Sequence, residues 1–184
     1  MFIQTEETPN PNSLKFIPGL DVIGANDPVN ILSAEQASIS PLAEMLFKFD
    51  FVRNVFLGSD FITVTKNDEI TWDVIKPDIL VTIMEFYVLG KKILKDEQEE
   101  KSVYDENDTE IVKQIKELIE HRVRPAVAQD GGDIIFKGFE DGVVLLELHG
   151  SCSGCPSSTI TLKNGIESML KHYVPEVVSV EAVN

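Results

Sequence analysis

Residues 130–158 read DGGDIIFKGFEDGVVLLELHGSCSGCPSS, and the fold of the second half of the chain follows from this stretch. Asp133–Phe139 and Val143–His149 are two runs of strand-forming residues, joined at Glu140-Asp141-Gly142, where Asp-Gly suits a tight hairpin turn. Upstream, Ile111, Ile115, Leu118 and Ile119 fall on one face of a helix, and Asn107 with Glu110 three residues on resembles a capping box. Pro125 lacks the N–H that would bond one turn back, so it should kink or interrupt that helix, and Gly131-Gly132 should end it. Downstream, Leu162, Ile166, Met169, Leu170 and Tyr173 share a helical face, Pro175 stops the helix, and Val177–Val183 reads as a last strand. The order is α-β-β-α-β. It predicts an α+β domain, a three-stranded sheet covered by helices, over residues 108–184.

Residues 1–90 read as a separate small α+β unit. Phe2–Glu6 and Leu14–Ile17 are strands around the turn-rich Thr8-Pro9-Asn10-Pro11-Asn12-Ser13. Ser40-Pro41 starts a helix expected through Phe49, with Ser as N-cap and Pro at the first helical position. Phe51–Leu57 and Phe61–Thr65 form a second hairpin across Gly58-Ser59-Asp60, and a helix from Thr71 to about Leu89 turns Val74, Ile75, Ile79, Ile83 and Phe86 inward. Between the units, residues 91–107 form an acidic linker, with Lys95-Asp96-Glu97-Gln98-Glu99-Glu100-Lys101 and Asp105-Glu106-Asn107-Asp108 offering little to bury. The competing reading is a solvated continuation of the preceding helix.

The whole chain has 184 residues, with 16 Lys+Arg against 31 Asp+Glu and a net charge of −15. Its 43% apolar and 26% charged fractions are those of a globular chain. No segment is net positive, which argues against nucleic acid as a partner. No apolar run reaches the ~20 residues of a membrane span, and the acidic start resembles neither a secretory signal nor a mitochondrial presequence. The expectation is a soluble protein without nucleic-acid or membrane partners. It should be cytoplasmic if bacterial, or in the mitochondrial matrix if a presequence has been removed.

Only two cysteines occur, Cys152 and Cys155, in Gly150-Ser151-Cys152-Ser153-Gly154-Cys155-Pro156. One short stretch is not a disulfide framework. Two intervening residues let both sulfurs reach one metal from a single turn, and Pro156 suits the first position of the next helix. Both sulfurs should then lie at a helix N-terminus, which favours thiolate. A pair of buried structural cysteines, a dithiol-disulfide oxidoreductase and half a zinc site stand as alternatives. Iron–sulfur clusters and structural zinc usually take four protein ligands, and the chain supplies two thiols. A histidine could complete the set, with His149 three residues before Cys152 and His121 and His172 on helices. The simpler completion is a second copy of the chain across a two-fold axis, a homodimer bridged by the metal whose apo form is free to be monomeric.

Asp130-Gly131-Gly132-Asp133, the hairpin and Gly150–Ser158 together closely resemble the C-terminal domain of the NifU and Nfu proteins. Thr8-Pro9-Asn10-Pro11-Asn12, Phe61–Lys66 and Trp72 resemble the Nfu N-terminal domain. The resemblance implies a non-enzymatic scaffold and carrier for iron–sulfur cluster assembly. It implies a [4Fe-4S] cluster, with [2Fe-2S] as the other type, bound between two subunits by Cys152 and Cys155. Upstream cluster donors and apo iron–sulfur client proteins are then the partners. The first unit carries no implied ligand, and Asp130–Asp133 is expected to shape the helix-to-strand turn.

Overall fold

The computed structural model describes residues 2–95, 108–154 and 156–183. The chain divides into two compact units, with the division near residue 100. Among the described residues no helix is long and apolar enough to cross a membrane.

The first unit is a five-stranded antiparallel sheet with two α-helices. Its elements are β1 (Gln4–Glu7), β2 (Ser13–Ile17), β3 (Val29–Ile31), α1 (Pro41–Leu46), β4 (Val52–Leu57), β5 (Ile62–Lys66) and α2 (Trp72–Val88). The strands lie in the order β1-β2-β5-β4-β3. Strand alternation puts Leu14, Phe16, Val55, Leu57, Ile62 and Val64 into one core with residues of both helices. From α2 come Ile75, Ile79, Ile83 and Phe86, a stripe at helical spacing. Val74 was expected in that stripe, yet it is 64% exposed. One residue before Ile75 is about 100° around the helix, which turns Val74 away from the sheet.

Helix α1 starts as its sequence indicates, with the Ser40 hydroxyl accepting from the Ala43 N–H at 3.3 Å. It ends at Leu46 instead of reaching Phe49. Lys48 and Phe49 donate to carbonyls only three residues back, and the Phe49 ring stacks on Phe51 with centroids 5.1 Å apart. Strand β3 was not foreseen, since three residues after Pro28 carry too short a pattern. It is identified only by its pairing with β4. Of the residues assigned to the linker, Ile93 is buried in the first core and Lys95 binds the Ile39 carbonyl and Glu44. Residues 96–107 lie outside the described residues.

The second unit contains α3 (Glu110–Leu118), a π-helical turn (Ile119–Val123), α4 (Arg124–Gln129), β6 (Gly132–Glu140), β7 (Val143–Gly150), α5 (Pro156–Tyr173) and β8 (Ser179–Val183). The α+β order read from the sequence is the observed one. Its sheet runs β6-β7-β8, antiparallel between β6 and β7 and parallel between β7 and β8. The parallel pair needs a crossover, which α5 supplies. Asp141 and Gly142 have φ of 50° and 81°, the two left-handed residues of a type I′ hairpin turn.

Ile115, Ile119, Val123 and Val127 pack on Ile134, Val144 and Leu146 of the sheet and on Ile166 and Leu170 of α5. The cap of α3 is Thr109, whose hydroxyl accepts from the Val112 N–H, while the expected Asn107 lies outside the described residues. Pro125 does not end the helical stretch. The preceding turn widens into a π-helix and Pro125 occupies the first turn of α4, where its missing N–H does least harm. Tyr173 sits at the rim of the core, 39% exposed, with the Arg122 guanidinium 4.8 Å from its ring centroid and donating to its hydroxyl.

Candidate metal centre

The cysteine loop grows out of the end of β7 and feeds α5. Gly150 (φ 67°) turns the chain out of the strand, and the Ser153 N–H and hydroxyl both donate to the Gly150 carbonyl, at 3.2 and 2.9 Å. The Thr159 hydroxyl in the first turns of α5 donates to the Cys152 carbonyl at 3.1 Å. The loop is therefore anchored at both ends. Cys155 lies outside the described residues, so of the two sequence-predicted ligands only Cys152 is placed.

A second set of contacts ties the loop to the corner between α4 and β6. The Ser151 N–H donates to the Gly131 carbonyl at 3.2 Å, and the Ser151 hydroxyl donates to the Asp130 carbonyl. Gly131 has φ of 79°, the conformation the corner needs and glycine permits. Gly132 forms the floor under the thiol. A Cβ at that position would lie 2.7 Å from the Cys152 Sγ and 2.6 Å from the His149 carbonyl oxygen.

Cys152 is 6% exposed and belongs to the apolar core of its unit. Burial pushes its thiol up from 9.0 to about 11. The charges of Asp130 and Asp133 add to this, and the Ser151 hydroxyl, 3.9 Å from Sγ, opposes it. The thiolate expected at a helix N-terminus is thus not what the fold favours for Cys152. Burial among apolar side chains disfavours the charged form of this thiol.

Beside this corner lies an ion-pair cluster. Arg124 Nε and Nη2 donate to the two oxygens of Asp133 at 2.8 and 2.9 Å, and Nη1 reaches both oxygens of Glu120 at 2.8 and 3.1 Å. Asp133 is 5% exposed. Asp133 belongs to the turn expected from the sequence, whereas Arg124 and Glu120 have no part in any motif there. Their spacing of four on a helix was the available signal.

The histidines do not gather at the cysteine. His149 Nε2 lies 2.7 Å from Glu147 Oε1, and His172 packs edge-on against Tyr173. His121 lies in the π turn. Among the described residues no three His, Cys, Asp or Glu side chains are grouped to hold a metal ion. Cys152, with the soft sulfur donor that iron prefers, is the described side chain that fits a cluster in kind.

Two family models match the chain. One, described as the scaffold protein Nfu/NifU N terminal, covers residues 3–90, and the other, a NifU-like domain, covers residues 115–181. The NFU1 iron-sulfur cluster scaffold homolog, mitochondrial, of Homo sapiens is 53% identical over 184 residues, all of this chain and 72% of that protein. The protein of the same description from Drosophila sechellia is 50% identical over all of this chain and 65% of its own length. A solution structure of a NifU-like protein from Saccharomyces cerevisiae superposes on 53% of this chain and 87% of its own, with 25% identity and a TM-score of 0.47.

Proposed function

The chain belongs to the Nfu/NifU family of iron–sulfur cluster scaffold proteins, and from that membership we propose that it carries a cluster on Cys152 and Cys155 and delivers it to apo-proteins. The observation that carries this reading is that the chain's two cysteines, with two residues between them in the sequence, lie between the end of β7 and the start of α5, inside the match to the NifU-like domain, with Cys152 placed in that loop. Two thiols supply half of the usual four ligands, so a second copy of the chain supplies the others. The family points to a [4Fe-4S] cargo. A site at the junction of two subunits opens by separation of the protomers, which suits a carrier and needs no catalysis by the chain.

Taking up iron asks Cys152 to give its thiol proton to solvent while the loop keeps its anchors at Gly150 and Thr159. Release is a ligand exchange. Each iron–sulfur bond to the carrier is replaced by one to a client thiolate, with no change in oxidation state. The dithiol oxidoreductase alternative would use the same two cysteines, and the matches to scaffold proteins favour the carrier over it. The relatives named as mitochondrial favour a mitochondrial setting and lend nothing to a bacterial cytoplasm.

Anaerobic reconstitution with iron and sulfide tests the reading. The expected product is a brown dimer with about two irons per chain. Mössbauer spectra should report a [4Fe-4S] cluster, and Cys155→Ala should abolish iron binding while leaving the apo fold intact. A colourless monomer that reduces a disulfide substrate would overturn the proposal in favour of the oxidoreductase.

A further inference from the structure

We infer that Arg124 is a positioning residue for Cys152, holding the Asp130–Asp133 corner in place as the floor on which the cysteine loop sits. The inference rests on the reading of Cys152 as a cluster ligand. Arg124 does not touch the thiol. It grips Asp133 through two parallel bonds, Nε and Nη2 to the two carboxylate oxygens, and its Nη1 is pinned by both oxygens of Glu120 one helical turn earlier. The guanidinium plane is therefore fixed from two sides.

What the fork holds is the strip of backbone that meets the loop. Asp133 follows Gly132, whose Cα faces the Cys152 Sγ with no room for a side chain. Asp130 and Gly131 offer the two carbonyls that Ser151 binds. Three consecutive corner residues thus contact the two residues Ser151 and Cys152, and the fourth is clamped by Arg124. Outer partners of metal ligands act in this way, by fixing the ligand's seat rather than by touching the metal.

The chemistry also explains why the clamp is arginine. A planar fork matches a carboxylate at two points, whereas a lysine ammonium is a single point charge that leaves the carboxylate free to rotate. Asp133 is buried beside the thiol, so without a counter-charge it would repel the anionic thiolates and cluster that the loop must accept.

The test uses the full chain in two backgrounds. In the apo protein carrying Cys155→Ser, a single thiol reports, and its labelling rate by iodoacetamide is measured well below the melting temperature. In the native-cysteine background, the rate at which a chelator strips iron from the reconstituted protein is measured. Arg124→Gln should speed iron stripping by about 10–100-fold, the usual effect on metal affinity of losing an outer partner, and should speed the labelling as well. Arg124→Lys should follow Gln because it lacks the fork, and Asp133→Asn, which breaks the pair from the other side, carries the test if Arg124→Gln does not fold. Wild-type rates in folded variants, or protection restored by Lys, would overturn the inference. So would labelling that accelerates only through global unfolding, recognised by its denaturant dependence. A wild-type chain that takes up no cluster would sink the functional reading, and the apo labelling series would still decide the role of Arg124.

Discussion

At the scale of the residue, two positions separate seat from ligand. Gly132→Ala would place a methyl group within 2.7 Å of the Cys152 Sγ and 2.6 Å of the His149 carbonyl, so strand or loop must move. Overpacking of this kind typically costs about 1–3 kcal/mol. Urea melts of the apo protein should show that loss, and Cys152 should label faster because its floor has been raised. The Cys152 thiol itself makes stability depend on alkaline pH. Its pKa is raised from 9.0 to about 11, by burial first, so the fold favours the protonated thiol. The resulting stabilisation is fully present below pH 9 and is lost as pH rises through about 11. Melting temperatures of wild type and Cys152→Ala should therefore converge across that window, and a constant difference would contradict the buried-thiol assignment.

At the scale of the element, caps and corners decide where helices begin and end. Ser40 is buried and caps α1, a helix of six residues with few other internal bonds. Replacing it with Ala should cost about 1 kcal/mol, read as a lower urea midpoint for the first unit without loss of iron binding by the second. Much of this level was legible in advance. Ser40-Pro41 announces a helix start, Asp141-Gly142 a hairpin, and the 75-79-83-86 spacing a buried helical face. The end of α1 was not legible, because the stop comes from the stacking of Phe49 on Phe51 and not from a breaker residue. The π turn before Pro125 was also hidden, since local rules say only that proline disturbs a helix. Which way the chain absorbs the disturbance depends on keeping Ile119 and Val123 in the same core.

At the scale of the whole molecule, each unit has a hydrophobic core of its own. Residues 108–184 expressed alone should melt cooperatively and bind as much iron per chain as the full protein. Residues 1–95 alone should fold and bind none. Failure of the second unit to fold by itself would show that its core is incomplete without the first. The family matches divide in the same way, an N-terminal model over residues 3–90 and a NifU-like model over residues 115–181.

The sequence by itself determined the number and spacing of the cysteines, the α-β-β-α-β order of the second unit, and most turns and helix faces. These depend on residue type and on spacing between near neighbours, which local dihedral preference and periodicity carry directly. Tertiary structure alone decided that Cys152 is buried, with its thiol pushed toward the protonated form, that Arg124 and Asp133 meet across the helix-to-strand corner, and that β3 is a strand. It also set Val74 and Tyr173 at the margins of their helical faces. Each of these is settled by what approaches from elsewhere in the chain. Burial, pairing and the field around an ionisable group belong to the packed arrangement, and no local window of residues contains them.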